Sequence, residues 1–240
     1  MKYTFAQSLK ELGIDKSKPI NTLNLDPRLC YDWASTNDFV KLFLPFLKIK
    51  IDSREQDKWF ENACAYFGIT TELAKKDKKK HTENLKEGDI TFCVCYGNKT
   101  YDYTNIVAYE RKGSANEFLN NVIWHRERLE REFERKVAKS YKKFVLVLET
   151  GFNLLDMVNY KFYFYNKDGT LEEKSCKDAV FSTLLSWIQP NKYAFDIIQY
   201  DTQKRSKTQK MYARNTLFWL ILCDMFYFFR QEIRKEAEQI

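Results

Sequence analysis

An α/β domain layered on a sheet is the fold class this sequence predicts, and three observations predict it. Only 7 Gly and 4 Pro interrupt 240 residues, which favours long regular elements over a many-turned β-sandwich. Short apolar runs alternate with helical periods through the second half of the chain. A composition of 44% hydrophobic and 16% aromatic residues supplies a core that a chain of this length can bury.

The elements follow in order. "FAQSLKELGI" reads as a short helix stopped near Gly13, and Pro19 and Pro27 interrupt what comes next, so residues 1–45 read as an N-terminal extension before a main domain at 46–240. "FLPFLKIKID" has strand character and ends on Asp52. In "REQDKWFENACAYFGI", Trp59, Phe60, Ala63, Cys64 and Phe67 recur at a helical period, with Gly68 as the stop. A lysine-rich stretch at 75–81 precedes a strand from Ile90, a turn near Gly97-Asn98 and a second strand over 103–112. One long amphipathic helix is expected over 117–142, then the apolar strand "KFVLVLETG" with Glu149 at its end. A helix over 177–188, the strand "YAFDIIQY" and a final helix over 211–239 complete the reading.

Charge and cysteine usage narrow the function classes. A net charge of +7 permits a polyanionic partner. The 6 Cys show no disulfide framework and no secretory signal precedes them, which points to a reducing, cytoplasmic setting. Cys93 and Cys95 share a strand face as packing thiols, because the only histidines, His81 and His125, sit at no metal-ligand spacing. The run at 216–229 is too short to span a membrane and carries Asp224, so it reads as a core helix and no membrane partner is expected.

The stretch "NIVAYERKGSANEF" at 105–118 carries the chemistry. An isolated Glu-x-Lys at a strand end is usually a solvated terminus. Here, folding the 90–112 hairpin about a centre between 99 and 100 sets Asp89 opposite Glu110. Their Cβ atoms would then be roughly 5 Å apart, repulsive unless a cation lies between them. Strand alternation keeps Lys112 on the face of Glu110 and turns Arg111 away. Asp52 and Glu55, from another strand end and the turn after it, can converge on the same place. Hard oxygen donors of this kind suit Mg²⁺, and a neighbouring lysine can orient water or neutralise charge growing on a phosphodiester. Gly113-Ser114 then lets a DNA backbone come close.

The motifs "IDSRE", "GD", "YERK", "HRERLEREF" and "FVLVLE" occur in this order, and together they resemble the XPF-type (excision-repair) structure-specific nuclease domain, in its compact phage and bacterial versions. The resemblance covers roughly residues 46–235. It implies a restriction-endonuclease-like fold, a central mixed sheet flanked by helices. It further implies a Mg²⁺- or Mn²⁺-dependent endonuclease that cuts branched, flap or junction DNA in repair, recombination or phage DNA metabolism. By position, Asp89 and Glu110 match metal ligands, Arg111 the residue whose backbone carbonyl completes coordination, Lys112 the catalytic lysine, and Asp52 the first acid and a further candidate ligand. Arg54, Glu55, Arg126 or Arg128, and Glu149 match supporting positions.

One departure is Asn116, where the family pattern places Asp. The larger relatives also carry tandem helix-hairpin-helix modules, and with no Gly after Gly169 none is expected within these residues.

Lys75, Lys76, Lys78, Lys79 and Lys80 are candidate phosphate contacts, as are the basic runs "KSYKK" and "KRSKTQK" and Ser114. Trp124 and Trp187 are expected in the core, and His125 on the surface. A homodimer or a partner subunit stays open. So do a catalytically retired DNA-binding scaffold, and an RNA-cutting or restriction activity of the same fold.

Overall fold

The structure, a computed structural model, describes residues 36–239 apart from 56, 75–84, 86–87, 97, 139–140, 150–160, 176, 188, 190–195 and 203–205. The helices are α1 (Thr36–Phe43), α2 (Trp59–Tyr66), α3 (Ala115–Ile123), α4 (Arg126–Ala138), α5 (Lys177–Trp187) and α6 (Lys207–Ala237). The strands are β1 (Leu47–Asp52), β2 (Thr70–Ala74), β3 (Ile90–Tyr96), β4 (Lys99–Asp102), β5 (Val107–Lys112), β6 (Lys143–Leu148), β7 (Lys161–Tyr165), β8 (Leu171–Ser175) and β9 (Asp196–Gln199). Seven of them form one mixed sheet in the order β2-β1-β3-β5-β6-β9, with β4 alongside β3, while β7 and β8 pair apart from it.

Alternation along the strands sorts side chains to two cores. Ile49, Ile51, Ile90, Phe92, Val107, Tyr109, Val145 and Val147 face one way and pack with α1, α2 and α6. Ala108, Phe144, Leu146 and Leu148 face the other way and pack with α3, α4 and α5. The molecule is therefore a central mixed sheet flanked by helices, as the sequence predicts.

The apolar run at 216–229 is the buried middle of α6, and its acid is used there. The Tyr109 hydroxyl donates to Asp224 Oδ2 at 2.9 Å and Lys143 Nζ donates to Oδ1 at 2.5 Å, tying β5 and β6 to the helix. Among the described residues no helix is long and apolar enough to cross a membrane. The end of the expected extension is also core. Phe39 and Phe43 of α1 are buried, with rings 5.9 and 5.7 Å from Phe229 of α6. Residues 1–35, including the helix expected there, lie outside the described residues.

Several elements differ from expectation for identifiable reasons. Residues 43–46 are not strand: α1 ends at Phe43, and Leu44–Phe46, with Pro45 in the first turn, is a 3₁₀ turn. The helix expected over 117–142 breaks at Trp124 and His125, because a continuous apolar stripe from Val122 to Leu129 would have buried His125 and Arg126. The break leaves His125 and Arg126 exposed, and it also exposes Trp124, which is 57% accessible and not in the core, whereas Trp187 is fully buried. α6 starts earlier than expected, at a capping box formed by Ser206 and Gln209. Cys93 and Cys95 do share a face, with Sγ atoms 4.0 Å apart.

The strand expected over 103–112 begins only at Val107, and an unforeseen short strand, β4, precedes it. β4 folds tightly onto β3 with Tyr96 opposite Lys99, and then a turn at 103–106 resets the register so that β5 pairs with Ile90 opposite Tyr109. The buried Thr91 hydroxyl holds this turn by donating to Tyr103 O at 3.1 Å and Val107 O at 2.8 Å. The inserted turn has an even number of residues, so the two-residue alternation survives and Glu110 keeps its face.

Gly88, at the entry to β3, has a φ of 76°, and a Cβ there would lie 2.9 Å from Tyr109 O and 3.0 Å from Ala108 Cβ. Gly68 has a φ of 67° but open space around it. Left-handed backbone alone costs a side chain about 1–2 kcal/mol. Gly68→Ala is expected to lose that much in urea denaturation, and Gly88→Ala at least about 3 kcal/mol, because the β5 backbone must also move. Equal losses would show that β5 does not press on Gly88.

Candidate active site

The pairings Ile51 to Ile90 and Ile90 to Tyr109 run through three adjacent strands. One residue further along each strand come Asp52, Asp89 and Glu110, which alternation places on the face opposite those core side chains. The backbone confirms the row: Asp52 N donates to Asp89 O at 2.8 Å, and Asp89 N donates to Tyr109 O at 2.8 Å. Three carboxylates thus stand abreast at one end of the sheet.

Each is compensated differently. Asp52 is buried and fully engaged by Arg54, whose backbone N (2.8 Å) and Nε (2.9 Å) donate to Oδ1 and whose Nη2 (2.8 Å) donates to Oδ2. As a metal ligand Asp52 would have to share its carboxylate with this arginine. Glu110 Oε1 accepts from Lys112 Nζ at 2.8 Å. Burial would lower the Lys112 pKa, but the charge and hydrogen bond of Glu110, with Asp89 and Glu117 adding to them, hold it above the usual lysine value. Asp89 has the least help. Its Oδ2 accepts from the backbone N of Arg111 at 2.7 Å, yet burial and the adjacent Glu110 charge push its pKa well above the usual carboxylate range.

These groups line a polar pocket of about 430 Å³, together with Arg54, Glu55, Gly88, Arg111, Glu117, Glu132 and Arg135. Among the described residues no group of three or more His, Cys, Asp or Glu is arranged as a ready metal cage. Two facing carboxyl groups remain, Asp89 and Glu110, and when both are ionised they carry more negative charge than Lys112 offsets. That donor set fits a hard ion such as Mg²⁺, which binds through one or two carboxylates and keeps several waters.

Arg111 points to the other side of β5, as alternation requires. Its Nε donates to Glu149 Oε1 at 2.5 Å, Nη2 to Asp57 Oδ2 at 2.8 Å, and Nη1 to Glu55 Oε1 at 3.3 Å. Arg214 of α6 meets the same acids, with Nε 2.8 Å from Glu149 Oε2 and Nη2 2.7 Å from Asp57 Oδ2. Thr202 adds a hydroxyl at 2.9 Å to the fully buried Glu149. Both guanidinium groups also lie within cation–π reach of the Trp59 ring, at 5.8 and 5.7 Å.

Gly113 and Ser114 have local duties in this arrangement. A Cβ on Gly113 would sit 2.9 Å from Arg111 Nη2, and the Ser114 hydroxyl caps α3 by accepting from Glu117 N at 3.1 Å. The absence of a side chain at 113 therefore makes room for Arg111.

Arg126 pairs with Glu130 at 3.0 Å and Arg128 donates to Asn121 at 2.8 Å, and neither lines the pocket. The α4 arginine that does is Arg135, two turns beyond Arg128 on the same helix face. The side chain of Asn116 and the lysines at 75, 76, 78, 79 and 80 lie outside the described residues. Sequence reasoning missed Asp57, Glu117, Glu132, Arg135 and Arg214. Asp57 lies next to the "DSRE" motif and Glu117 three residues after Ser114, but nothing local marks Arg214.

No family model matches the chain, and no curated protein matches it. Among solved structures, XPF from Aeropyrum pernix is similar, with a TM-score of 0.41 and 13% identity over 72% of this chain. The chain spans 64% of the length of that structure. What the site can do therefore rests on its own geometry.

Removing one partner of a buried ion cluster strands the others. Glu149→Gln keeps the shape but leaves Arg111 and Arg214 to Asp57 and Glu55, and is expected to cost about 3 kcal/mol in chemical denaturation. A loss below about 1 kcal/mol would mean that the two arginines do not need that charge.

Proposed function

We propose that the chain is a metal-dependent endonuclease that hydrolyses DNA phosphodiesters with Mg²⁺ or Mn²⁺. The observation that carries this reading is the pairing of Asp89 with Glu110 across β3 and β5, with Lys112 on the same face. Asp89 and Glu110 would hold the ion, the backbone carbonyl of Arg111 adding a donor. When bound, the ion supplies positive charge to the scissile phosphate and lowers the pKa of its water.

The chain's own residues do the rest. Lys112, kept protonated by Glu110, faces the charge that develops on phosphate. Arg54 locks Asp52 and so fixes the end of β1 beside Asp89. Arg111, anchored to Glu149 and Asp57, holds the end of β5 and so the position of Glu110. Arg135 adds positive charge at the pocket wall for the phosphate backbone.

A preference for branched, flap or junction DNA follows from the order of the sequence motifs. Intracellular DNA is the matching setting, in a bacterial or phage-infected cell or elsewhere, and a homodimer or partner subunit fits the same reading. A retired scaffold is a second reading with an observation in its favour. Glu110 already has Lys112 and Asp52 already has Arg54, so two of the three acids are satisfied without a metal.

Calorimetric Mg²⁺ and Mn²⁺ titration beside cleavage of duplex, fork, flap and single-stranded DNA separates the two. Glu110→Gln and Asp89→Asn are each expected to lose ion binding and at least about 100-fold in cleavage while still binding DNA. Lys112→Ala is expected to lose cleavage to a similar extent but to keep the ion. Metal binding and cutting unchanged in Glu110→Gln would end the assignment, and wild-type protein that binds DNA without cutting it would establish the scaffold.

A further inference from the structure

A second cavity of about 570 Å³ is lined by α2 and the first turns of α6. Its apolar wall includes Tyr66, 60% exposed, and Met211, 48% exposed, with the buried Trp59 beneath. Its charged wall comes from the basic run that begins α6. Lys207 and Lys210 line it without an ion-pair partner among the described residues, and Arg214 lies one turn further on. No Asp or Glu occurs among the described lining residues.

A separate observation concerns two of the same lining residues. Trp59 Nε1 and Asn215 Nδ2 both belong to lining residues, both are buried, and neither has a hydrogen-bond partner. Buried donors without acceptors are rare in native proteins and destabilising. Two such donors belong to residues that line this one cavity, whose described lining carries no carboxylate. The N-terminal N–H groups of the long helix α6 add partial positive charge at the same rim.

We infer that this groove binds one nucleotide unit of single-stranded DNA, the base against Tyr66 and Met211 and the phosphate at Lys207 and Lys210. An aromatic face beside mobile cations, without acids, is the arrangement that takes an unpaired nucleotide irrespective of sequence. A base pair held in duplex cannot offer its face in this way, so the groove selects a single-stranded arm. The position suits such an arm. Arg214 on the groove wall shares Asp57 with Arg111, at 2.7 and 2.8 Å, and Arg111 adjoins Glu110. A strand crossing the acid site therefore meets the groove on the other side of this ion cluster. The choice of DNA rests on the nuclease reading above, and the groove supplies a reason for a flap or junction substrate.

Fluorescence anisotropy with labelled oligo(dT) and the full chain in EDTA tests binding apart from chemistry. Tyr66→Ala and the double variant Lys207→Ala/Lys210→Ala, exposed or half-buried positions outside the acid site, are expected to weaken oligo(dT) binding about 10-fold each. Tyr66→Phe is expected to bind as wild type, and only the lysine variant to flatten the salt dependence. Flap cleavage by the Tyr66→Ala protein is expected to show a raised KM with kcat kept. Wild-type binding by Tyr66→Ala and the lysine variant, or no oligo(dT) binding by the wild-type chain, overturns the inference. Tighter binding of oligo(rU) than of oligo(dT) overturns the choice of DNA. Oligo(dT) binding that depends on Tyr66, in a protein that cuts nothing with either metal, retires the nuclease reading and leaves the groove standing.

Discussion

Like charges held side by side by backbone register are the constraint from which the rest of the site follows. β1, β3 and β5 bring Asp52, Asp89 and Glu110 abreast. A pair of carboxylates about 5 Å apart repels by about 3 kcal/mol at an effective dielectric of about 20. The fold does not escape this by shifting register, because a one-residue slip would turn Ile51, Ile90 and Tyr109 out of the core. Apolar burial on one face therefore fixes acid proximity on the other. Arg54 answers for Asp52 and Lys112 for Glu110, and Asp89 is left with a single backbone donor.

The opposite side of β5 carries the mirror problem, cations that must be buried. Arg111 and Arg214 are brought together by strand and helix, and Glu149, Asp57 and Glu55 neutralise them. This cluster fastens α6 to the ends of β5 and β6 and to the turn after β1. It also separates two cavities of opposite character, one lined by acids and the other by lysines without acids. On the proposed reading, a phosphodiester would be drawn by the second and processed at the first.

Much of this was legible in the sequence because it rests on local periodicity. The facing of Asp89 and Glu110 came from counting outward along a hairpin, and it survived an error in the turn because the unforeseen loop at 103–106 has even length. The break after α3 was hidden because Val122 and Leu129 are in phase for one continuous helix. Arg135 was passed over for Arg126 and Arg128 because the whole helix is rich in arginine, and only its placement shows which turn reaches the pocket. Arg214, Thr202 and the orphaned donors of Trp59 and Asn215 had no local signal, since each depends on how α6 packs against residues far away in sequence.

The central claim is that Asp89 and Glu110, which Lys112 compensates only in part, hold a divalent cation. A crystal of the full chain soaked in Mn²⁺, with data collected at the manganese edge, addresses it directly. One anomalous peak between the carboxylates of Asp89 and Glu110, absent from an Asp89→Asn crystal, is the predicted result. A peak elsewhere, or none at a concentration that saturates binding in solution, would contradict the account.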